Sequence, residues 1–227
     1  MSDDALLWSR LWLDDAPQGL NAALAASARA RRLRDGELLY AKGDIASSLV
    51  GVKRGLIRNV HVGADGRELL FGLFGPGSWF GEISLFDEAP RPLHAYAMGD
   101  TEVLLVPASA FHAALEAHPE GYRHFARVLC RKLRVAFEVL EDQARPLGLR
   151  LAKRLLDLAA VYGEPTPDGL WLKLPLPQED LARMLGATRQ SINKELRAFT
   201  AQGLLAVKGG CLLLRDVDQL SALVAAP

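Results

Sequence analysis

Up to about residue 106 the apolar residues come in short runs broken by glycine and turn residues. Runs at 37–40, 49–52, 56–62 and 69–74 are separated by Lys42-Gly43-Asp44, Arg54-Gly55 and Ala64-Asp65-Gly66. An Asp-Gly pair between extended runs is a strong hairpin signal. Two further strands, 93–97 and 102–106, flank Gly99-Asp100. Many short strands at this spacing predict a small antiparallel barrel or jelly roll. Ahead of them, residues 4–13 and 17–29 read as helical, with Pro17 in a tolerated first-turn position.

From residue 119 the period changes to that of a single long helix ending near 143. Pro119 suits its first turn, and Arg145-Pro146 stops it because the residue before proline is pushed out of the α region. Tyr122, Ala126, Leu129, Leu133, Ala136 and Leu140 follow one another at intervals of 4, 3, 4, 3 and 4, a heptad seam. Phe125, Val128, Val135 and Val139 form a second apolar stripe on the adjoining face. Such a helix must be covered twice. Its own barrel can cover one face, and the same helix of a second copy is the natural cover for the other. The competing reading is a monomer whose helix is buried between two domains.

Beyond residue 147 the pattern predicts a helix (149–162), a Gly/Pro loop, a helix (178–185), a turn at Gly186-Ala187 and a helix (189–202). A hairpin follows, with strands 204–207 and 211–214 around Lys208-Gly209-Gly210. That is the order of a winged helix-turn-helix. Leu181, Ala182, Leu185, Ile192 and Leu196 supply buried positions, and Ala182 is small where two helices would cross. Gly186 is free to end the first helix at positive φ, and Thr188 can cap the second. The first turns of that helix present Arg189, Gln190, Asn193 and Lys194. In a helix-turn-helix these positions meet base edges in the major groove, where arginine suits guanine and asparagine or glutamine suits adenine. Ser191, Lys173 and Lys208 are candidate phosphate contacts, with Lys208 on the wing. The bland alternative is a helical pair for protein contact with a solvated face.

Composition narrows the classes. The 227 residues suffice for one large domain or two small ones, and half are hydrophobic, enough to bury a core. No apolar run approaches the ~20 residues that span a bilayer, and the acidic Met1-Ser2-Asp3-Asp4 lacks the positive region of a signal peptide. Two cysteines, Cys130 and Cys211, offer neither a disulfide framework nor a cysteine–metal cluster. A cytoplasmic globular protein is expected, with no membrane partner. Net charge is zero, but residues 1–144 carry 16 basic against 19 acidic side chains and residues 145–227 carry 11 against 8. A basic C-terminal third is compatible with nucleic-acid binding.

The barrel holds a second candidate site. Gly81 precedes a short helical turn formed by Glu82, Ile83 and Ser84, and Arg91 follows. Backbone N–H groups there can cradle an anion, Glu82 can accept from ribose hydroxyls, and Arg91 can pair with a phosphate. Glycine-rich barrel turns are common, so these residues alone are a weak signal.

In combination they are specific. Gly43-Asp44, the cassette Pro76-Gly77 to Phe80-Gly81-Glu82-Ile83-Ser84-Leu85, the long helix, the helix-turn-helix and the wing together resemble the cyclic-AMP receptor protein/FNR (CRP/FNR) family over essentially the whole chain. The resemblance implies an α+β fold: a cyclic-nucleotide-binding-type β barrel at 1–118, a dimerisation helix and hinge at 119–144, and a winged helix-turn-helix at 145–227. It implies a homodimer on double-stranded DNA with a near-palindromic site, and RNA polymerase as partner if the protein activates. Members that bind cyclic AMP carry Arg-Ser in the cassette, where this chain has Arg91-Pro92; proline lacks both N–H and hydroxyl. Their Thr-Ser pair on the long helix matches Ala136 and Phe137, which cannot hydrogen-bond an adenine. Cyclic AMP is therefore disfavoured. Another nucleotide such as cyclic di-GMP, or no ligand with Phe137 filling the pocket, is expected instead.

The family's other sensor chemistries leave little trace. No cysteine precedes Cys130, so an iron–sulfur cluster is not expected, and Cys130 reads as a buried packing thiol. His61, His94, His112, His118 and His124 are scattered, which disfavours haem. A cupin-type enzyme would need His-x-His on barrel strands, and the chain has none. A DNA-binding regulator is the leading reading; a nucleotide-binding module acting on protein partners is the alternative.

Overall fold

Two long segments rich in apolar residues, 48–62 and 94–107, build the first sheet. In a computed structural model, whose described residues are 16–64, 66, 68–172, 176–208 and 211–225, the chain divides into two units, 16–134 and 135–225. The helix expected over 4–13 and the candidate contact Lys173 lie outside the described residues.

In the first unit, α1 (Gln18–Ser27) is followed by β1 (Arg29–Leu33), β2 (Leu38–Tyr40), β3 (Ser48–Val62), β4 (Glu68–Phe74), β5 (Trp79–Phe80), α2 (Ile83–Phe86), β6 (His94–Pro107) and α3 (Ala108–Ala117). The sheet runs β1-β6-β3-β4, with β2 on β6 and β5 on β3, and these pairings are antiparallel. The reading of residue 29 as helical is corrected, since Arg29 opens β1 opposite Leu105. A second correction concerns Arg54-Gly55 and Gly99-Asp100, which are bends rather than strand breaks. β3 and β6 pair from Ser48↔Pro107 to Val60↔His94, with register shifts on both sides of Arg54. Gly55 (φ +81°) takes the bend where a Cβ would strike the Asp100 carbonyl. The Thr101 hydroxyl mends the ladder, accepting from the Leu56 N–H (3.2 Å) and donating to its carbonyl (3.0 Å). A bulge with a side-chain patch bends a strand without ending it.

Two cores result. Inside the barrel, Leu39, Val50, Val52, Ile57, Phe74, Phe80, Ala97 and Val103 pack together. Outside it, Leu20 and Leu24 of α1, Phe111 and Leu115 of α3, and Phe125 and Val128 of α4 (Glu120–Asp142) close over Leu49, Trp79 and Val106. Phe86, Phe111 and Phe125 meet edge-on at 5.1–5.4 Å, clamping the long helix to the cassette. α3 was not foreseen from the sequence.

In the second unit, the last turns of α4 are followed by α5 (Leu147–Tyr162), β7 (Gly163–Thr166), β8 (Gly169–Leu172), α6 (Gln178–Leu185), α7 (Arg189–Ala201), β9 (Leu205–Lys208), β10 (Cys211–Leu214) and α8 (Val217–Ala225). The sheet order is β7-β8-β10-β9. The expected loop after α5 is thus a hairpin, turning at Pro167-Asp168, and Pro165 is tolerated because β7 is an edge strand. α8, also unforeseen, packs on α5 through the fully buried Leu220.

Candidate effector pocket and nucleic-acid interface

Gly81 turns the chain into α2 at a φ of +94°, a conformation that suits glycine. The turn sends Glu82 inward, where it is fully buried. Arg91 is presented by the Gly43-Asp44 turn: its N–H donates to the Asp44 carbonyl (2.8 Å), and the Gly43 N–H donates to the Arg91 carbonyl (2.9 Å). Arg91 is 3% exposed; its guanidinium donates to the carbonyls of Gly81 (2.9 Å) and Ser48 and lies 4.4 Å from the centre of the Tyr40 ring. Burial pushes the Tyr40 phenol up to about 12, against the pull of Arg91, and burial lowers Arg91 from its ordinary value. Arg91, the candidate anion-binding group of the cassette, is therefore engaged by the protein's own carbonyls.

Glu82 is likewise engaged. The Lys132 ammonium of α4 donates to its Oε1, and its Oε2 is buried without a hydrogen-bond partner. Lys132 went unnoticed in the sequence, although its signal was present: it interrupts the apolar stripe of Phe125, Val128 and Val135 at the helical spacing. Ser84 is buried, with its hydroxyl 3.5 Å from the Pro90 carbonyl, while Ile83 is 42% exposed. Gly81, Glu82, Ser84 and Arg91 are brought together; Ala136 and Phe137 are exposed. Phe137, four residues after Leu133 and three before Leu140, falls on the seam side of the helix and is 54% exposed. The reading of Cys130 as a buried packing thiol is corrected: it is exposed, one position past Leu129. His94 accepts from the Lys42 N–H (3.2 Å) and His61, beside the residue that pairs with His94, meets the Lys42 ammonium (3.3 Å). Among the described residues no His/Cys/Asp/Glu group could hold a metal ion, and no helix is long and apolar enough to cross a membrane.

The two faces of α4 separate by exposure. Phe125, Val128 and Val135 are buried, whereas Tyr122, Ala126, Leu133, Ala136 and Leu140 are exposed and Leu129 is half-buried. The second stripe is covered within the chain and the seam is open.

In the second unit, α6 ends at Gly186 in the left-handed region (φ +59°), and the Thr188 hydroxyl accepts from the Ser191 N–H (3.1 Å) to start α7. Leu181, Ala182, Leu185, Ile192 and Leu196 are buried. Thr188, Arg189, Gln190 and Lys194 are exposed, with Ser191 and Asn193 half-buried on the same opening turns. Lys208 closes strand β9. The geometry offers a cationic, amide-bearing helix end held on a packed base.

Two family models match the chain: a cyclic nucleotide-binding domain at residues 30–118 and a Crp-like helix-turn-helix domain at 149–223. The chain is 30% identical over 187 residues to the CRP-like cAMP-activated global transcriptional regulator of Mycobacterium tuberculosis, covering 82% of this chain and 84% of that one. It is 29% identical over 209 residues to the cyclic AMP receptor protein of Thermus thermophilus, covering 90% and 92%. Among solved structures, FixK2 from Bradyrhizobium japonicum matches with a TM-score of 0.77 at 25% identity, over 88% of this chain and 98% of that one. The Mycobacterium relative is named a transcriptional regulator, and on motif, fold and kinship alike the chain belongs to the CRP/FNR family of DNA-binding transcription regulators rather than to a family of enzymes.

Proposed function

We propose that the chain works as a homodimer joined along the α4 seam. Residues 1–118 act as sensor domain, 119–144 as dimerisation helix and hinge, and 145–227 as DNA-binding domain. The observation that carries the dimer is the open heptad seam on a helix whose other stripe is already covered. Arg189, Gln190, Asn193 and Lys194 read base edges; Thr188, Ser191, Lys173 and Lys208 serve the helix cap and the phosphates. Two recognition helices on one two-fold axis call for a near-palindromic site with half-sites ~34 Å apart.

The relatives named as responding to cyclic AMP make a nucleotide the first ligand class to consider. Pro92 and the non-polar Ala136 and Phe137 count against cyclic AMP itself, as does an Arg91 already spent on backbone carbonyls. Cyclic di-GMP remains the alternative nucleotide. A ligand seated there would act by shifting the population between two dimer geometries.

Fluorescence anisotropy on a palindromic duplex tests the reading, with no ligand, with cyclic AMP and with cyclic di-GMP. Salt-sensitive binding is expected in the first arm. Absence of binding in all three arms would favour the protein-partner alternative.

A further inference from the structure

A third face of α4 is neither the open seam nor the covered stripe. Arg123, Arg127, Arg131 and Arg134 follow one another along it at intervals of 4, 4 and 3. Arg123, Arg127 and Arg134 are exposed and Arg131 is half-buried. Among the described residues, Arg123, Arg127 and Arg134 have no acidic partner. Like charges four residues apart weaken a helix, so this ridge favours an anionic cover.

The chain carries a segment that matches the ridge. Residues 4–13, outside the described residues, read as a helix from their sequence. Six of these ten are leucine or tryptophan, too apolar a surface to leave in water. Leu7, Trp8, Leu11 and Trp12 fall on one side of such a helix. Aspartates bracket it, Asp3 and Asp4 before and Asp14 and Asp15 after, against the single cation Arg10. Asp4 and Asp15 are eleven residues apart, as are Arg123 and Arg134. At the helical rise, both pairs span about 16 Å. The point of attachment also fits. α1 opens at Gln18, and its Leu20 side chain sits so close to Gly121 that a Cβ there would come within 2.9 Å of it. A Cβ at Gly19 would likewise strike the His118 ring. The first turn of α1 is thus pinned beside the first turn of α4. Asp15 lies three residues before it, a reach of about 10 Å.

We infer that residues 4–15 dock antiparallel along the arginine ridge of their own α4. Asp14 and Asp15 meet Arg123 and Arg127, and Asp3 and Asp4 meet Arg131 and Arg134. Trp8 and Trp12 then lie against guanidinium faces and the aliphatic stems of the arginines, a surface that suits an aromatic ring. The long helix is covered on three sides: by the barrel, by its own N-terminal segment and, along the seam, by a second copy. The docking is intramolecular and does not depend on the dimer or on DNA.

The test uses the full chain and hydrogen exchange over residues 4–13, at two protein concentrations a factor of about ten apart. Arg123→Glu/Arg127→Glu should speed exchange there by about tenfold over the parent, while the cassette (79–86) and α7 keep their protection. Trp8→Ser/Trp12→Ser should lose the same protection. Adding Asp14→Arg/Asp15→Arg to the ridge-reversed chain should restore it, which repair of a misfolded variant would not explain. If the ridge-reversed chain does not fold, Arg123→Gln/Arg127→Gln supplies the comparison. Absence of protection in the parent, or protection unchanged by ridge reversal, would overturn the inference. Protection that grows with protein concentration would overturn it too, by assigning the segment to a second copy.

Discussion

Arg91 is held by its backbone, its guanidinium and the face of Tyr40 at once, and that crowding makes Gly81 irreplaceable. A methyl group at Gly81 would both strain a φ of +94° and strike the Arg91 guanidinium. Gly81→Ala should therefore destabilise the first unit by about 1–3 kcal/mol, read as a lower midpoint in chemical unfolding. Asp157 offers a pH-dependent counterpart in the second unit. Burial lifts its carboxyl to about 6, against the pull of Arg154 and Lys153 and with the push of Asp142 and Glu138. Because the folded value lies above the unfolded one, this group's contribution is favourable at low pH and is lost as pH rises from about 4 to about 6. Asp157→Asn should leave stability near pH 4 little changed and raise it at pH 7 by on the order of 2 kcal/mol. Equal effects of Asp157→Asn at both pH values would show that the carboxyl is not the cause. Residue identity made some of this legible in advance: Gly81, Glu82 and Arg91 were singled out by type and spacing. What those residues do was not legible, because the partner of Glu82 lies 50 positions away and that of Arg91 is mostly backbone.

At the scale of elements, α4 was the most readable part of the chain because its two stripes differ in phase by one position, and the helix turns that offset into two faces. The seam residues are those left open, and Leu133 lies in its middle at 54% exposed. Leu133→Glu would place two like charges together at a dimer seam, so sedimentation should show monomer at micromolar concentration and duplex binding should be lost. The first unit should keep its folding midpoint, since Leu133 takes no part in the apolar core around Phe111 and Phe125. β3 and β6 were read less well, each as two strands, because glycine beside a polar residue signals a turn and a bulge alike. Only the Thr101 hydroxyl, which replaces the missing ladder bonds, distinguishes the two, and its partner Leu56 is 45 residues away. The hairpin after α5 was hidden in the same way. Pro165 and Gly169 look like a loop until β10 supplies the neighbour that makes β8 a strand.

At the scale of the whole molecule, a two-fold axis multiplies what one recognition helix can discriminate. The Thr188 cap fixes the start of α7 and Gln190 is exposed on it, so in the proposed dimer the Gln190 side chain of each copy would meet an equivalent base pair in each half-site. Glutamine presents both a donor and an acceptor and suits the N6 and N7 edge of adenine, whereas glutamate can only accept and suits the N4 amine of cytosine. Each correct contact is worth about 1–3 kcal/mol, and a dimer makes it twice, so a symmetric change at that base pair should shift affinity by about 2–6 kcal/mol. Competition anisotropy with duplexes altered at both symmetric positions measures this directly. The parent should prefer adenine, and Gln190→Glu should reverse the preference toward cytosine while leaving the salt slope unchanged, because no phosphate contact is altered. A parent indifferent to that base pair would remove Gln190 from the reading face. A Gln190→Glu variant that loses affinity equally for both duplexes would instead assign the residue to general positioning on the DNA. Discrimination that is halved when only one half-site is altered would, in turn, show both recognition helices engaged at once.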